Sequence, residues 1–269
     1  MSRFDGRVSL VTGSTGMAAS AAHALVAEGA SVFVASRTAE HARALADELE
    51  AGGSVAWRAA DLTVEAEADA AVAACIERFG RIDALYDVAG ISGRSFGDGP
   101  LHEATLAGWE MVMAANVTSL FLVARATVRQ MLVQERDADG SRGVLLTMSS
   151  ALARHPSPEF FATHAYAASK GAIEAFTIAV AAYYAPHGIR ANAIAPSLVA
   201  TPMSRRAQDD PAIADYLRTK QPLAGGPIPA DAVTPVALHL LSRESRMITG
   251  QVIEVDAGWG VSEPPAPVP

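Results

Sequence analysis

Tyr166 and Lys170 form the pair with the most specific chemistry in the sequence, because three residues separate them in the segment Tyr-Ala-Ala-Ser-Lys. Residues four positions apart share one face of a helix, so the ammonium and the phenol are expected to be neighbours. At about 4 Å and an effective dielectric of about 20, this interaction is worth about 4 kcal/mol and lowers a phenol pKa by up to ~3 units. We therefore expect Tyr166 to exchange a proton near neutral pH.

Ser150 and Asn116 are further candidates for this chemistry. Ser150 follows Ser149 at the end of the segment GVLLTMSS, and ligands of open parallel sheets bind at the ends of such strands. An ordinary polar strand end is the alternative. Asn116 lies in the otherwise apolar helical segment WEMVMAANVTSLFLVARA, where a buried amide needs partners. It is either a satisfied core amide or part of a polar network.

The elements that must position these side chains follow from short β-branched runs that alternate with longer alanine-rich segments. This alternation is typical of βαβ units and predicts an α/β class fold: a single-domain, Rossmann-type, doubly wound parallel sheet of about seven strands flanked by helices. The predicted strands are 8–13, 31–36, 55–62, 82–90, 143–150, 189–196 and 251–256. The predicted helices are 18–28, 40–50, 64–79, 106–135, 164–185 and 231–242.

The first strand continues into Gly13-Ser14-Thr15-Gly16-Met17-Ala18 and then into a helix. Small residues there let the backbone turn tightly and let free helix amides approach a pyrophosphate. A simple strand-to-helix turn with two glycines is the alternative, because glycine pairs after strands are a weak signal.

Arg37 follows Ser36 at the end of the second strand, where dinucleotide-binding folds contact the adenosine ribose. An acidic residue there would repel a 2′-phosphate, whereas arginine offers it a charged fork. Arg37 could instead be an exposed residue at the start of a helix. Asp61, at the end of the third strand, would lie near the adenine or cap the next helix.

The composition excludes several classes of protein. The 269 residues are 50% hydrophobic and 19% charged, which excludes disorder over most of the chain. A formal charge of −8 gives no electrostatic reason to expect nucleic acid or an anionic membrane as a partner. A single cysteine, Cys75, excludes an intrachain disulfide and a cysteine cluster for zinc. No signal peptide or membrane span is evident, so we expect a cytoplasmic protein without a metal site.

The predicted helix 164–185 is apolar around almost its whole circumference, with Ile173, Phe176 and Ile178 among many alanines. A helix of this kind is buried on all sides. Because the sheet covers only one face of an outer helix, the other face is expected to pack on another subunit. The sequence thus predicts a homo-oligomer, a dimer or a tetramer.

Taken together, these motifs resemble the short-chain dehydrogenase/reductase family over roughly residues 5–258. Further matches in chain order are Ala89-Gly90, 192–196, Thr201-Pro202, 249–251 and 255–258. The resemblance implies a catalytic tetrad of Asn116, Ser150, Tyr166 and Lys170. It also implies cofactor contacts by Gly13, Ser14, Thr15, Gly16, Met17, Ser36, Arg37, Asp61, Leu62, Ala89, Gly90, Tyr166, Lys170, Pro196, Val199 and Thr201.

In the roles that the resemblance implies, Tyr166 protonates the substrate oxygen while Ser150 hydrogen-bonds it. Lys170 lowers the Tyr166 pKa and binds the nicotinamide ribose, and Asn116 anchors a water that relays protons. Thr201 would hydrogen-bond the carboxamide.

Three departures from the family pattern stand out. The glycine loop is one residue short and has Ala18 in place of the third glycine. The usual Asn-Asn-Ala-Gly begins here with Asp87. The separation between Ser150 and Tyr166 is about three residues longer than common, which brings Phe160, Phe161 and His164 to the expected substrate mouth, and Ser197 rather than glycine follows Pro196.

The function predicted from the sequence is an NADP(H)-dependent interconversion of a small-molecule ketone or aldehyde and its alcohol, with NAD(H) as a possible cofactor. A lyase or isomerase on the same fold, or a weakly catalytic cofactor-binding or interaction protein, is the alternative. The predicted catalytic domain spans 1–258 and carries a mobile substrate lid at about 197–229. A Pro-rich tail follows at 259–269.

Overall fold

A seven-stranded, wholly parallel sheet forms the centre of the computed structural model, which describes residues 2–49 and 54–263. The strand order is β3-β2-β1-β4-β5-β6-β7. The strands are β1 (Val8–Thr12), β2 (Ser31–Ser36), β3 (Val55–Ala59), β4 (Ala84–Asp87), β5 (Gly143–Met148), β6 (Ile189–Pro196) and β7 (Val252–Val255). The predicted fold class and strand number are confirmed, and several predicted strands end up to three residues earlier because their last residues turn into loops at the sheet edge.

Helices cover both faces of this sheet. They are α1 (Met17–Ala27), α2 (Ala39–Leu49), α3 (Glu65–Phe79), α4 (Leu106–Met113), α5 (Ser119–Val133), α6 (Pro158–Phe161), α7 (His164–Tyr184), α8 (Arg205–Gln208), α9 (Pro211–Lys220) and α10 (Ala230–Leu241). Residue 50, the predicted last residue of the second helix, lies outside the described residues.

The central strands are apolar on both faces, as expected for a parallel sheet with two helical layers. Leu25 of α1 and Leu238 of α10 pack with Val11 and Val34 on one face of the sheet. On the other face, α3, α5 and α7 pack on a second cluster that contains Leu10, Leu85 and Leu145. These two cores hold the carboxyl ends of the strands in fixed register.

The chain reverses its direction of travel across the sheet between β1 and β4. From β1 it proceeds to β2 and β3 on one side, and from β4 it proceeds to β7 on the other. Loops that leave β1 and β4 therefore diverge and open a crevice at the carboxyl ends of the strands, which is where open α/β sheets bind ligands.

The predicted helix 106–135 is interrupted by a π-helical turn at Ala114–Thr118, which joins α4 to α5. Asn116 lies in this turn and is fully buried. By length and hydropathy, Leu106–Val133 could cross a membrane, and 56% of its most apolar 18-residue window is buried within the protein. Core helices share these properties, so this segment is weak evidence for a membrane span.

The segment 197–229 contains two helices, α8 and α9. Ile213 and Leu217 of α9 pack with Trp259 in a third apolar cluster. Trp259 is only 2% exposed, which places this residue of the predicted tail in the folded domain. Residues 264–269 of that tail lie outside the described residues.

Candidate active site

Tyr166 lies in the first turn of α7, and a carboxylate from a distant loop holds that turn in place. Asp98 Oδ1 accepts a hydrogen bond from the backbone N–H of Ala165 at 3.0 Å, and Oδ2 accepts one from the N–H of Tyr166 at 2.9 Å. These amides have no partner within the helix, and the negative charge also suits the positive end of the helix dipole. Asp98 is buried and therefore fixes the position of the Tyr166 backbone.

Lys170 follows one turn later, with its ammonium group inside the protein. The side chain is 4% exposed, and Nζ donates a hydrogen bond to the carbonyl oxygen of Met148 at 2.7 Å. Nζ also lies 5.5 Å from the centre of the Tyr166 ring, as the shared helix face predicts. Burial lowers the pKa of Lys170 to about 8, and the charge of Asp87 opposes this shift.

The expected depression of the Tyr166 pKa is not present in this structure. Burial raises the pKa of the phenol, and a side-chain hydrogen bond with Ser150 opposes that effect. Desolvation disfavours the phenolate, while the Lys170 ammonium is directed towards Met148. The prediction that Lys170 lowers the Tyr166 pKa is therefore wrong for the protein without bound molecules.

Ser150 lies directly after β5, in front of the first turns of α7. Its hydroxyl oxygen accepts a hydrogen bond from the N–H of Leu152 at 3.2 Å, which begins a short 3-10 turn. Because that bond uses only an oxygen lone pair, the hydroxyl proton can be donated to Tyr166, as in this structure, or to a substrate oxygen that takes its place.

Asn116 is a satisfied core amide. Oδ1 accepts from the N–H of Ile91 at 2.8 Å, while Nδ2 donates to the Ile91 carbonyl and to Ser169 Oγ, both at 3.0 Å. It thereby ties the loop after β4 to α7. A Cβ on Gly90 would meet Asn116 Oδ1 at 2.9 Å and Lys170 Nζ at 3.8 Å, which explains why glycine is needed there.

A cavity of about 290 Å³ runs along the carboxyl ends of β1, β2 and β3. Its walls include most of the predicted cofactor residues. They are Gly13, Ser14, Thr15, Met17, Ser36, Arg37, Asp61, Leu62, Ala89, Gly90 and Thr201. Thr38 and His41 also line this cavity beside Arg37, and no pattern in the sequence distinguishes them from ordinary residues at the start of a helix.

Gly16 does not line the cavity, but it is the residue before α1 and makes the tight turn between the cavity-lining residues Thr15 and Met17. Its φ is +55°, and an added Cβ would come within 2.9 Å of Thr201 Cγ2. The loop therefore turns tightly despite being one residue short, and α1 starts directly beside the cavity. Ala18, in the place of the third glycine, is buried against Gly13.

The far end of this cavity is polar. Ser14 Oγ and Ser36 Oγ lie 2.9 Å apart and join the glycine loop to the end of β2. Asp61 Oδ1 accepts from both the N–H and the hydroxyl of Thr63, and these bonds lower its pKa. Arg37 is exposed, and its charge makes a smaller contribution to the lowered Asp61 pKa. This cradle of glycine loop, helix N-terminus and basic residue fits a dinucleotide.

A second cavity of about 230 Å³ adjoins the first and contains the proton-transfer residues. Ser150, Tyr166 and Lys170 line it together with the predicted cofactor residues Pro196 and Val199. Leu152, Phe161, Leu198, Met203 and Trp259 form its apolar walls. Of the inserted residues, Phe161 reaches the cavity, whereas Phe160 packs on Tyr216 and His164 contacts the carbonyl of Gly99. Asn116 lines neither cavity.

Asp87, which replaces the family's asparagine, is a buried carboxyl at the end of β4. Thr12 Oγ1 accepts from the N–H groups of Val88 and Ala89 at 3.0 and 3.1 Å, so its proton is free to donate to Asp87 Oδ1 at 2.7 Å. Burial raises the pKa of Asp87 to about 6, while the Thr12 hydrogen bond and the Lys170 charge oppose the rise.

Within residues 2–49 and 54–263, no group of three or more histidine, cysteine, aspartate or glutamate side chains is placed to hold a metal ion.

Comparison with known proteins identifies the class of this fold and site. The family model described as enoyl-(acyl carrier protein) reductase matches residues 11–260. The chain is 34% identical over 260 residues to momilactone A synthase of Oryza sativa subsp. japonica, which covers 95% of this chain and 90% of that protein. It is 32% identical over 262 residues to D-threitol dehydrogenase of Mycolicibacterium smegmatis, which covers 96% and 95%.

Among solved structures, a gluconate 5-dehydrogenase from Burkholderia cenocepacia in complex with NADP and tartrate matches with a TM-score of 0.85 and 32% identity over 96% of each chain. The chain therefore belongs to the short-chain dehydrogenase/reductase family. Because its relatives are named dehydrogenases, it is an oxidoreductase that acts on CH–OH groups, and a lyase or isomerase is not favoured.

Proposed function

We propose that this protein is an NADP(H)-dependent dehydrogenase/reductase that interconverts a ketone or aldehyde and its alcohol with Tyr166 as the acid/base. The observation that carries the proposal is that Ser150, Tyr166 and Lys170 line one cavity that adjoins the dinucleotide-shaped cavity. A bound nicotinamide cofactor supplies or accepts the hydride.

The chain's own residues handle the substrate oxygen and its proton. The Ser150 hydroxyl donates a hydrogen bond to that oxygen, and the Tyr166 phenol donates its proton when a carbonyl is reduced or accepts one when an alcohol is oxidised. Lys170, whose Nζ donates to the Met148 carbonyl in this structure, can supply the positive charge that favours phenolate once that bond is exchanged. Asn116 holds the loop at Ile91 and helix α7 together, which keeps this group in place.

The Tyr166 pKa is raised in the structure, so bound molecules must help to lower it. An Nζ group that exchanges its bond to Met148 for contacts with a bound cofactor and Tyr166 would supply this effect. We infer from this that proton release from Tyr166 requires the assembled complex. The raised pKa also keeps the phenol protonated, and therefore able to donate, across the neutral range.

NADP(H) is the preferred cofactor in this proposal, because Arg37 lines the first cavity and can pair with a 2′-phosphate. Asp61 also lines this cavity, but its carboxylate is engaged by Thr63. The solved relative that contains NADP supports this assignment. We further infer that the enzyme acts in the cytoplasm as a homo-oligomer.

The experiment that tests the proposal follows absorbance at 340 nm with NADPH and NADH over a panel of ketones and secondary alcohols. Tyr166→Phe keeps the ring but removes the transferable proton, so turnover should fall by at least about 100-fold while NADPH still binds. Phe161→Tyr, a change in the cavity wall, is the control for mere alteration of the cavity. Retention of most activity in Tyr166→Phe would remove Tyr166 from the mechanism.

A further inference from the structure

Two arginines line the substrate cavity, and both lie outside the cofactor cavity. Arg94 comes from the 3-10 turn after β4, and Arg206 comes from α8. Both lie in the wall of the cavity that contains Ser150 and Tyr166, whereas the cavity that contains Gly13 and Arg37 has neither of them. A role in binding cofactor phosphates is therefore not the one that their positions favour.

Neither guanidinium is neutralised within residues 2–49 and 54–263. Ion pairs there involve other arginines, such as Arg154 with Glu174 and Arg218 with Asp215. Arg94 uses one donor, because Nη2 donates to the carbonyl of Phe160 at 3.0 Å. A guanidinium has five N–H donors, so most of its capacity remains unused. The single bond to Phe160 holds the group at the cavity without cancelling its charge.

The two arginines also act on each other electrostatically. Burial lowers the pKa of Arg94, and the charge of Arg206 lowers it further. Asp98 has the opposite effect, but both of its oxygens already accept hydrogen bonds from the first turn of α7. Both side chains are exposed, so solvent screens part of this repulsion, and an anion bound at the cavity would relieve the rest. In a chain of net charge −8, this arrangement is not explained by a general excess of positive charge.

Apart from these two arginines, the wall of the substrate cavity carries little charge. Among the described residues that line it there is no aspartate or glutamate, and the only other cation is Lys170, which the proposed mechanism uses. Phe161, Leu198 and Trp259 provide apolar surface. The cavity therefore combines a reactive end, an apolar wall and a basic pair with free donors.

We propose that Arg94 and Arg206 bind an oxyanion group of the substrate, so that the enzyme acts on anionic carbonyl and alcohol compounds. The substrate class is a ketone or hydroxy compound that carries a carboxylate, sulfonate or phosphate at a distance from the reacting carbon. Charge-assisted, often bidentate hydrogen bonds from arginine provide the recognition. This inference rests on the proposed function only for the chemistry at the reacting carbon, because the anion contact itself requires no turnover.

The test measures binding with ketones that differ only in charge. Acyclic and cyclohexanone frames are prepared with a carboxylate, a sulfonate or a phosphate, and each is paired with its neutral methyl ester or amide. Titration calorimetry with the protein loaded with NADP+, which cannot reduce the ketone, gives each dissociation constant. At least one anion should bind at least tenfold more tightly than its neutral partner, and the gap should narrow as salt increases.

Arginine variants assign that preference to the two side chains. Arg94→Gln and Arg206→Gln should each reduce anion binding about tenfold and leave the neutral partner and NADPH unchanged. Arg205→Gln is the matched control, because Arg205 precedes Arg206 on α8 but lies outside both cavity walls. It should leave the anion affinity unchanged. Thermal melts identify any variant that fails to fold.

The outcomes separate this inference from the proposed function. If no anion binds wild-type protein more tightly than its neutral partner, or if both glutamine variants retain the preference, the anion site is wrong. Turnover of neutral ketones at 340 nm would then leave the proposed function intact. Arginine-dependent anion binding without any NADP(H)-linked turnover would support the anion site and contradict the proposed function. If Arg205→Gln lost as much anion affinity as the other two variants, the preference would be due to general surface charge and the assignment would be overturned.

Discussion

Arg37 is the residue from which cofactor choice can be tested directly. It is exposed at the cofactor cavity after Ser36, so a 2′-phosphate can reach its guanidinium. Charge-assisted hydrogen bonds of about 1.5–3 kcal/mol correspond to roughly one to two decades of affinity. We predict that NADPH binds at least about tenfold more tightly than NADH, and that Arg37→Ala erases most of this difference by weakening NADPH alone.

Arg43→Ala is the control for Arg37→Ala, because Arg43 lies on α2 near Asp47 and outside the cavity wall. Fluorescence titration of both cofactors gives the affinities, and higher salt should reduce the wild-type preference. Equal affinities in the wild type, or a preference for NADH, would contradict the assignment. The short glycine loop cannot produce the predicted pattern, because a defective pyrophosphate site would weaken both cofactors alike.

Asp87 adds a pH dependence that an asparagine at this position would not have. Its folded-state pKa of about 6 lies above the ordinary value of 3.8, so the buried carboxyl binds its proton more tightly in the folded state. The stability associated with that proton is complete below about pH 4 and is lost as the pH rises through about 6. Asp87→Asn should therefore gain stability relative to the wild type between pH 4 and 7, by an amount on the order of 1–3 kcal/mol.

Asp87→Asn should also change the pH range over which Lys170 stays charged. Because the Asp87 charge raises the Lys170 pKa, its removal should lower that pKa below about 8 and move the alkaline limb of the activity profile to lower pH. Denaturant melts and pH–rate profiles measure the two effects. Asp47→Asn, at an exposed carboxyl, should change neither. A stability difference that is independent of pH would show that Asp87 is not a titrating group.

Residue type and spacing were sufficient to predict that Ser150, Tyr166 and Lys170 share a site, because helix and strand periodicity place them there. They were insufficient for Asp98, whose partners are backbone amides far along the chain. The Tyr166 pKa was predicted in the wrong direction, because burial and the direction of the Lys170 ammonium depend on the whole fold.

At the scale of elements, Asp98 determines where α7 begins, because it accepts hydrogen bonds from the N–H groups of Ala165 and Tyr166. We call this pair of bonds the Asp98 clamp. Asp98→Ala removes the acceptor of both the Ala165 and Tyr166 amides and should destabilise the protein by about 1–2 kcal/mol. Because the second of these amides belongs to Tyr166, kcat should fall while the affinity for NADPH stays the same. Asp98→Asn, which retains one acceptor oxygen, should recover part of both losses.

Asp210→Ala is the matched control for the clamp, because Asp210 caps α9 through the N–H groups of Ala212 and Ile213. It should cost similar stability without a matching loss of kcat for small neutral ketones. Urea melts combined with steady-state kinetics separate the two properties. A kcat in Asp98→Ala equal to that of the wild type would show that the clamp serves stability alone.

The interruption of the helix at 106–135 and the helices within 197–229 could not be predicted from the sequence pattern. The apolar segment 106–135 predicts one regular helix, but an extra residue in the turn at Ala114–Thr118 creates the π-helical geometry that turns Asn116 towards Ile91. The long segment 197–229 reads as a loop because its polar and turn-forming residues dominate. Its two helices form where Ala207 of α8 and Ile213 and Leu217 of α9 can pack in one cluster with Trp259, a contact that no local pattern reveals.

At the scale of the whole molecule, the parallel sheet was predictable because alternating strand and helix patterns admit few topologies. The surface of α7 was harder to interpret, because an apolar helix can pack within its own chain or against another. The structure separates these cases. Phe176 packs on the second core, whereas Ile178 is 47% exposed on a face that also presents Ala168, Ala175, Ala179 and Ala182. Phe121 on α5, the helix before α7 in this layer, is 44% exposed.

From the exposed face of α7 we can predict how a charged substitution would affect the oligomer. Small alanine side chains let a second helix approach closely, and Ile178 and Phe121 would bury apolar surface in that contact. Ile178→Glu should therefore dissociate the oligomer into folded protomers, because it places a charge in an interface without disturbing either core. Phe176→Glu should instead unfold the chain, because it places the charge in the second core.

Light scattering at micromolar concentration, combined with circular dichroism, distinguishes dissociation from unfolding in these variants. Val64→Glu is the matched control, because Val64 is exposed to a similar degree, 44%, but stands at the start of α3 rather than on α7. It should leave the molecular mass unchanged. A wild-type protein that is already monomeric, or an Ile178→Glu variant that keeps the wild-type mass and fold, would show that the apolar face of α7 is not a subunit interface.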